Sequence, residues 1–528
     1  MVKTPREEFE IAQGPIDPAP ATGGHPKGLY LLFFTEMWER FSYYGMRAIL
    51  MLFMTKVLLY TSDFASGIYG NYTGLVYLTP LIGGYISDRY WGNRKSILIG
   101  GIIMAIGQFL LFGSASLIGD GSDKSMATIF FVLGLTGLII GNGFFKPNIS
   151  TMVNQLYAPG DKRVDAAFSI FYMGINLGAF FSPLVCGTLA EKIDFKWGFF
   201  AAGIGMVLGI LLFIALKNKY IVDANGKPVG VKPEKITNPD DPGKAHNEIK
   251  EFSAGRVGLW LGIYAALWLF FLFVLNFNVI STLIFATSLA ASGFVITDPT
   301  LSKIERDRII VIYVIAFFVI FFWSAFEQAG ASLTLFADRN TDRNLFGWEM
   351  PASYFQSINP LGIIILAPIF ASIWVGLGKR NREPASPVKQ SIGLFLLSVG
   401  YLVIAFGVRG VDDNSKTNMM WLVSMYFIHT MGELCLSPIG LSMVARLSPL
   451  RLGSLLMGIW FMSNAMANDF TGMLSKLYPE GGVAKNFLGF QIDDLYSFFM
   501  IFVVMAGVAS IILFLLSKKL LKMMHGVR

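Results

Sequence analysis

Residues 256–297 read RVGLWLGIYAALWLFFLFVLNFNVISTLIFATSLAASGFVIT, a run of 42 residues in which Arg256 is the one charged side chain. A membrane-spanning helix needs about 20 apolar residues, so this run is too long for one ordinary crossing and long enough for two. Its flanks decide between one and two. Residues 217–256 hold eight Lys and Arg, and KIERDR at 303–308 holds three more. Basic residues gather in loops on the cytoplasmic face, so two basic flanks belong on one side and the run between them crosses an even number of times. The run therefore reads as a tight hairpin of two helices turning near Asn276 to Asn278.

Working outward, six apolar segments precede it, at 29–59, 64–87, 96–118, 126–156, 165–190 and 197–216, and six follow, at 309–337, 352–378, 390–408, 419–444, 453–475 and 495–516. Fourteen crossings result. Alternate loops then carry 29 basic residues on the cytoplasmic side and 10 on the other. The composition agrees: 54% of residues are hydrophobic and 15% charged, where a soluble chain carries about 25% charged. A string of soluble domains is excluded, and little chain remains outside the membrane for a catalytic domain. The +7 net charge sets topology here, so no nucleic-acid partner is implied; the partner is a lipid bilayer. The predicted organisation is an all-α polytopic membrane protein. It has a cytoplasmic tail (1–28), a six-helix bundle (29–216), a cytoplasmic linker (217–255) rich in Pro, Gly and mixed charge, the accessory hairpin (256–297), a second six-helix bundle (298–516) and a cytoplasmic tail (517–528). The first tail has no apolar core of a signal peptide and is expected to stay.

Thirty-nine of the 42 basic residues fall in loops; Arg40, Arg47 and Lys146 do not. The reading places four acids in the same apolar setting, Glu36, Glu39, Glu327 and Glu433. Each unpaired charge in a bilayer costs about 3 kcal/mol even on a lenient scale, so these seven must pair, titrate or face water.

Four of the acids and bases crowd one helix. With Glu36 at zero and about 100° per residue, Glu39 falls near −60°, Arg40 near 40°, Tyr43 near −20°, Tyr44 near 80° and Arg47 near 20°. All six share one face, which must look into a polar interior. The plain alternative is a salt-bridge cluster that fixes helix packing.

Glu36 to Gly45, EMWERFSYYG, resembles the ExxERFxYYG motif of the proton-dependent oligopeptide transporter family, a branch of the major facilitator superfamily. Phe171-Tyr172-Met-Gly-Ile175-Asn176-Leu-Gly178 resembles its FYxxINxG signature, and Gly83 to Lys95 (GGYISDRYWGNRK) the superfamily's loop motif. Further on, Phe322 to Gly330, Ile358-Asn359-Pro360 and Gly432 to Pro438 are similar to its seventh, eighth and tenth core spans. The resemblance implies a major facilitator fold, two six-helix bundles plus a prokaryotic-type accessory hairpin, with both termini cytoplasmic. It also implies uptake of di- and tripeptides, coupled to protons, across the cytoplasmic membrane of a bacterium, by a protein acting as a monomer without a cofactor beyond the coupling proton.

A short peptide is a zwitterion. Its site needs a cation, an anion and amide partners, and the planar fork of arginine suits a carboxylate. By resemblance, Arg47 and Lys146 hold the peptide C-terminus, Glu433 the N-terminus, and Asn176 and Asn359 the backbone, with Tyr44, Tyr77, Trp323 and Trp460 lining side-chain pockets. For Tyr77 and Trp460 core packing is the plain alternative. Glu36, Glu39, Arg40 and Glu327 are the proton-coupling candidates: Glu327 is expected to pair with Arg47 across the bundles, and Lys146 with Glu433. The alternative for Glu327 is a fixed structural partner. Asp88, Arg89 and Arg94 are expected to form a conformational latch, against simple positive-inside anchoring. Within the family a nitrate or other small organic anion is the competing substrate, and a non-transporting peptide receptor the competing class. A Glu433 carboxylate argues against nitrate.

Other signals stay weak. Gly119 to Ser125 lacks the glycine that a phosphate-binding loop places before its lysine. Cys186 and Cys435 read as packing thiols. The four histidines have no metal-ligand spacing, and His429, alone in a span, reads as packed or hydrogen-bonded. No nucleophile and base pair at interpretable spacing suggests an enzyme.

Overall fold

The computed structural model describes residues 24–527 apart from 120–123, 159–160, 162, 224–225, 233–236, 239–240, 246–253, 411–414, 450–451 and 481–483. Residues 1–23 of the first tail, much of the linker, and the loop cations Lys162 and Arg451 lie outside the described residues. Among the described residues sixteen α-helices make up fourteen crossings. In the first half these are α1 (Lys27–Leu52), α2 (Ser62–Leu78) continued by α3 (Pro80–Ile86), α4 (Asn93–Gly119), α5 (Lys124–Gln155), α6 (Val164–Lys192) and α7 (Phe195–Tyr220). The accessory pair is α8 (Ala254–Leu269) and α9 (Val279–Ile296). The second half holds α10 (Lys303–Phe326) continued by α11 (Ser332–Arg339), then α12 (Ile358–Lys379), α13 (Ser386–Val408), α14 (Met419–Leu447), α15 (Gly453–Ser475) and α16 (Leu495–Met523).

The hairpin turns where the sequence places it. Asn276 takes φ 54°, and Asn278 caps α9 by accepting from the backbone N–H groups of Ile280 and Ser281. Asparagine suits both positions, since its short amide tolerates left-handed backbone and serves as a helix N-cap.

Eleven crossings are long and apolar enough to span a bilayer by length and composition. The other three carry the unusual chemistry. Helix α1 contains Glu36, Glu39, Arg40 and Arg47; α2 stops at Thr79 and Pro80 restarts the crossing as α3; α15 contains Ser463, Asn464, Asn468 and Asp469.

Two predicted boundaries move. Helix α7 runs to Tyr220, and the chain then folds back, Val222 bridging to Pro228. Ile221 and Val229 are buried, so this part of the predicted linker is packed structure; its apolar residues give it a place to go. Likewise α16 continues past 516 to Met523, because Leu520 and Met524 bury one face while Lys518, Lys519 and Lys522 punctuate the other.

Within the first half α1 packs on α6 and α7, and α4 on α5 and α7; within the second α13 packs on α14 and α16. The halves meet along α2 against α15 and along α6 against α12 with the turn Ala352–Ser357 before it. Small residues bring these helices close, as membrane interfaces favour: a Cβ on Gly70 would lie 2.7 Å from the Gly472 Cα. Helix α9 lies over the α2–α15 seam, while α8 contributes no buried residue between Ala254 and Leu269.

One end of the molecule carries the start of α1 and the close of α16, and is called the tail end here; the opposite is the far end. Links between the halves gather at the far end. Lys56 pairs with Asp338 at 2.6 Å and Lys485 with Asp63 at 2.5 Å. The Glu191 carboxylate accepts from the backbone N–H of Ala352 at 2.7 Å and of Ser353 at 3.0 Å, and Ser66 donates to Ser475 at 3.0 Å.

Candidate functional site

Between the halves lies a cavity of about 260 Å³. All nine residues expected to hold substrate line it: Tyr44, Arg47, Tyr77, Lys146 and Asn176 from the first half, Trp323, Asn359, Glu433 and Trp460 from the second. Arg40 and Glu327 line it too. Tyr172 and Leu441 on its wall are 39% and 41% exposed. Both stand on the tail-end halves of α6 and α14, so the cavity opens that way.

The stripe on α1 faces inward as its spacing requires. Arg40 Nε lies 2.9 Å from Glu36 Oε1 and 2.6 Å from Glu39 Oε2, and Asn142 Nδ2 donates to Glu39 Oε1 at 3.3 Å. Two carboxylates share one guanidinium, and none of the three side chains is more than 4% exposed. These contacts are close enough for ion pairing yet off-axis for hydrogen bonds, so charge holds them more than direction does.

About two turns further along α1, Arg47 NH2 meets Glu327 Oε2 at 2.9 Å, the cross-half pair that the resemblance implies. Glu327 begins the single 3-10 turn Glu327–Gly330 that separates α10 from α11. At the break Gln328 donates back to Ser324 O at 3.2 Å and across to Thr471 O of α15 at 3.0 Å. Gly330 is required there, since a Cβ would lie 1.9 Å from the Tyr69 hydroxyl.

Opposite these cations, Glu433 Oε2 accepts from Asn359 Nδ2 at 2.7 Å, and the same amide donates to Thr430 at 3.1 Å. Lys146 sits 4.3 Å above the Tyr77 ring, and Arg47 5.2 Å from the Tyr44 ring. The expected Lys146–Glu433 pair is not formed: Lys146 rests on the aromatic ring of its own half, and Glu433 is held by Asn359. Asn176 donates to the Tyr172 carbonyl at 2.9 Å, so its amide N–H is engaged within α6. Trp460 is at once wall and core, 4% exposed and stacked where a Cβ on Gly440 would be 2.5 Å from its ring.

The loop residues stand apart from the other half. Asp88 and Arg89 lie in the π-helical turn Ser87–Trp91, where Arg89 donates to Tyr85 at 2.8 Å on its own side. Arg94 donates from Nε to Val229 O at 2.5 Å, from NH1 to Asn218 at 3.2 Å, and to Ile221 O. In this conformation it fastens the folded segment after α7 and reaches no residue of the second half through these bonds. His429 is packed against Tyr401 at 4.8 Å with Nε2 near Leu397 O at 3.2 Å.

Sequence reasoning missed several wall residues: Tyr172, Gln356, Tyr426 and Asn464 also face the cavity. Aromatic and amide side chains in spans carry no charge penalty that would mark them. It also missed a fifth membrane acid. Asp469 on α15 is 2% exposed, and the rule that singled out Glu433 applies to it equally.

The family model described as PTR2, POT family, matches residues 94–232 and 277–488. A peptide transporter of Yersinia enterocolitica is 35% identical over 473 residues, covering 85% of this chain and 88% of the relative. A di-/tripeptide transporter of Lactococcus lactis subsp. cremoris is 31% identical over 527 residues, 96% of this chain and 98% of the relative. The crystal structure of a mutant of the peptide transporter POT in complex with alafosfalin superposes with a TM-score of 0.76 at 32% identity, covering 96% of this chain and 98% of that one. With two thirds of its length matched by the family model and its fold shared with solved members, the chain belongs to the POT family, the proton-dependent oligopeptide transporters of the major facilitator superfamily.

Proposed function

We propose that this protein takes up di- and tripeptides with protons by alternating access, in the cytoplasmic membrane of a bacterium and as a monomer. One observation carries the reading. Two cations, Arg47 and Lys146, and one carboxylate, Glu433, face a single cavity from opposite halves. That is the charge pattern of a zwitterion. The volume, near the lower end of about 300 Å³ for small-molecule pockets, favours a short peptide over a long one. The names of the Yersinia and Lactococcus relatives support the same substrate class. A nitrate site gains nothing from Glu433.

With the tail end in the cytoplasm, the cavity here opens inward and the far-end contacts close the outside. Arg47 serves twice in this cycle, as substrate cation and as gate. A proton on Glu327 removes the charge that holds Arg47, freeing the guanidinium for the peptide carboxylate and loosening the halves. Glu36, Glu39 and Arg40 form the second element, since a proton on either carboxylate redistributes the pairing along α1. Both are two-state contacts that proton and peptide can bias together. The chemistry is binding and conformational exchange, with the proton as coupling ion and no cofactor invoked. Calorimetric titration of the purified protein with dialanine, trialanine, tetraalanine and nitrate tests the specificity. Binding of the two shorter peptides in preference to tetraalanine and nitrate is expected; preference for nitrate overturns the reading.

A further inference from the structure

Asp469 takes no part in the cavity, yet it is buried at the place where three helices meet. Helix α2 approaches α15 so closely that a Cβ on Gly70 would lie 2.9 Å from the Asp469 carbonyl oxygen and one on Gly74 3.4 Å from Asp469 Cβ. From the accessory hairpin, Ile284 of α9 reaches within 2.8 Å of that same Gly74 position, and the Ser281 hydroxyl faces the Asp469 carboxylate. Ser281 and Asn278 both reach Asn71 of α2, at 3.5 and 3.3 Å. So α9 fastens across the inter-half seam on its far-end side, and Asp469 lies beneath the fastening. Its Oδ2 has no hydrogen-bond partner among the described residues.

The surrounding charges are few. Helix α9 has none, the Asp63 carboxylate of α2 is paired with Lys485, and Glu327 after α10 is paired with Arg47. Lys476, the residue that caps the C-terminus of α15, is the cation that faces Asp469. An ionised carboxylate sealed in this dry seam with one oxygen unmet is costly, whereas the same group in an opened seam is solvated.

We propose that Asp469 is a further proton site, outside the cavity: its O–H bond breaks and the proton passes to water when the α2–α15 seam opens at the far end. Resealing requires the proton back, and α9 then fastens the closed seam through Ser281. This rests on the transport reading for its place in the cycle, but its test needs no substrate. It also gives the accessory hairpin a task.

The test is a distance measurement in the full chain. Spin labels on Phe64→Cys and Leu488→Cys, exposed far-end sites in opposite halves, report opening by pulsed electron resonance, the native Cys186 and Cys435 being buried. The population ratio of open to closed is expected to rise about fivefold or more between about pH 5 and about pH 8. In Asp469→Asn this rise with pH should be lost, while Ser281→Ala keeps it from a more open starting point. If Asp469→Asn does not yield a monodisperse protein, Asp469→Ser serves in its place. An unchanged pH response without the carboxyl group, or no response in the parent, overturns the proposal. Failure of peptide transport would show in separate uptake assays and leave this result readable.

Discussion

Arg47 of α1 and Glu327, at the point where the seventh core crossing breaks, form an ion pair of 2.9 Å between the two halves of the molecule, with side chains 8% and 6% exposed. Removing one partner of such a buried pair strands the other, at about 3–5 kcal/mol. Glu327→Gln is therefore expected to lose gradient-driven accumulation of peptide while counterflow exchange continues in the same vesicles. Full accumulation in this variant would remove Glu327 from the gate.

Glu433 is the anion of the cavity and keeps its geometry through Asn359. In Glu433→Gln the neutral amide retains the shape and the Asn359 contact but drops the charge–ammonium bond, worth about 1.5–3 kcal/mol. KM for dialanine should rise roughly tenfold to a hundredfold by that figure, with protein yield unchanged. N-acetylated dialanine, which has no ammonium, should discriminate little between the two proteins; a KM for dialanine equal to wild type counts against the assignment.

The far-end seam depends on the absence of side chains at Gly70 and Gly472, whose backbones leave no room for a Cβ. Gly472→Val is expected to hold the seam apart. Cross-linking of Ser66→Cys to Ser475→Cys, whose hydroxyls are 3.0 Å apart in the parent, should then drop sharply. Efficient cross-linking in the valine variant would mean that the seam adapts around the added methyls.

Arg94 donates to the Ile221 and Val229 carbonyls of the segment that follows α7 and to Asn218 in the last turn of α7, and its own N–H meets the Gly230 carbonyl at 2.8 Å. Arg94→Ala should free that segment, so endoproteinase Asp-N is expected to cut before Asp223 several times faster than in the parent, consistent with a loss of about 1–3 kcal/mol for buried carbonyls left unpaired. Cleavage at the parent rate would show that Ile221 and Val229 alone keep the segment in place.

The crossings were legible in the sequence because a bilayer demands long apolar runs and sorts basic residues to one side. The hairpin at Asn276–Asn278 followed from two basic flanks and an overlong run. The cavity was legible wherever a charge broke an apolar pattern, as at Arg47, Lys146, Glu327 and Glu433. Where the chemistry was neutral the pattern was silent: nothing marks Tyr426 or Gln356 as wall and not core. Pair choices were also hidden, since Lys146 can rest on Tyr77 or reach Glu433 with the same sequence, and the conformation decides. Ile221 and Val229 were too few to stand out in a polar stretch, so their packing emerges only when Arg94 is seen beside them.

The most direct measurement of peptide–proton coupling is uptake of labelled dialanine into liposomes holding the purified protein, with the outside acidic. Accumulation above the external concentration, abolished by a protonophore and unaffected by excess nitrate, is the expected result. Uptake that ignores the proton gradient, or that nitrate displaces, would contradict it.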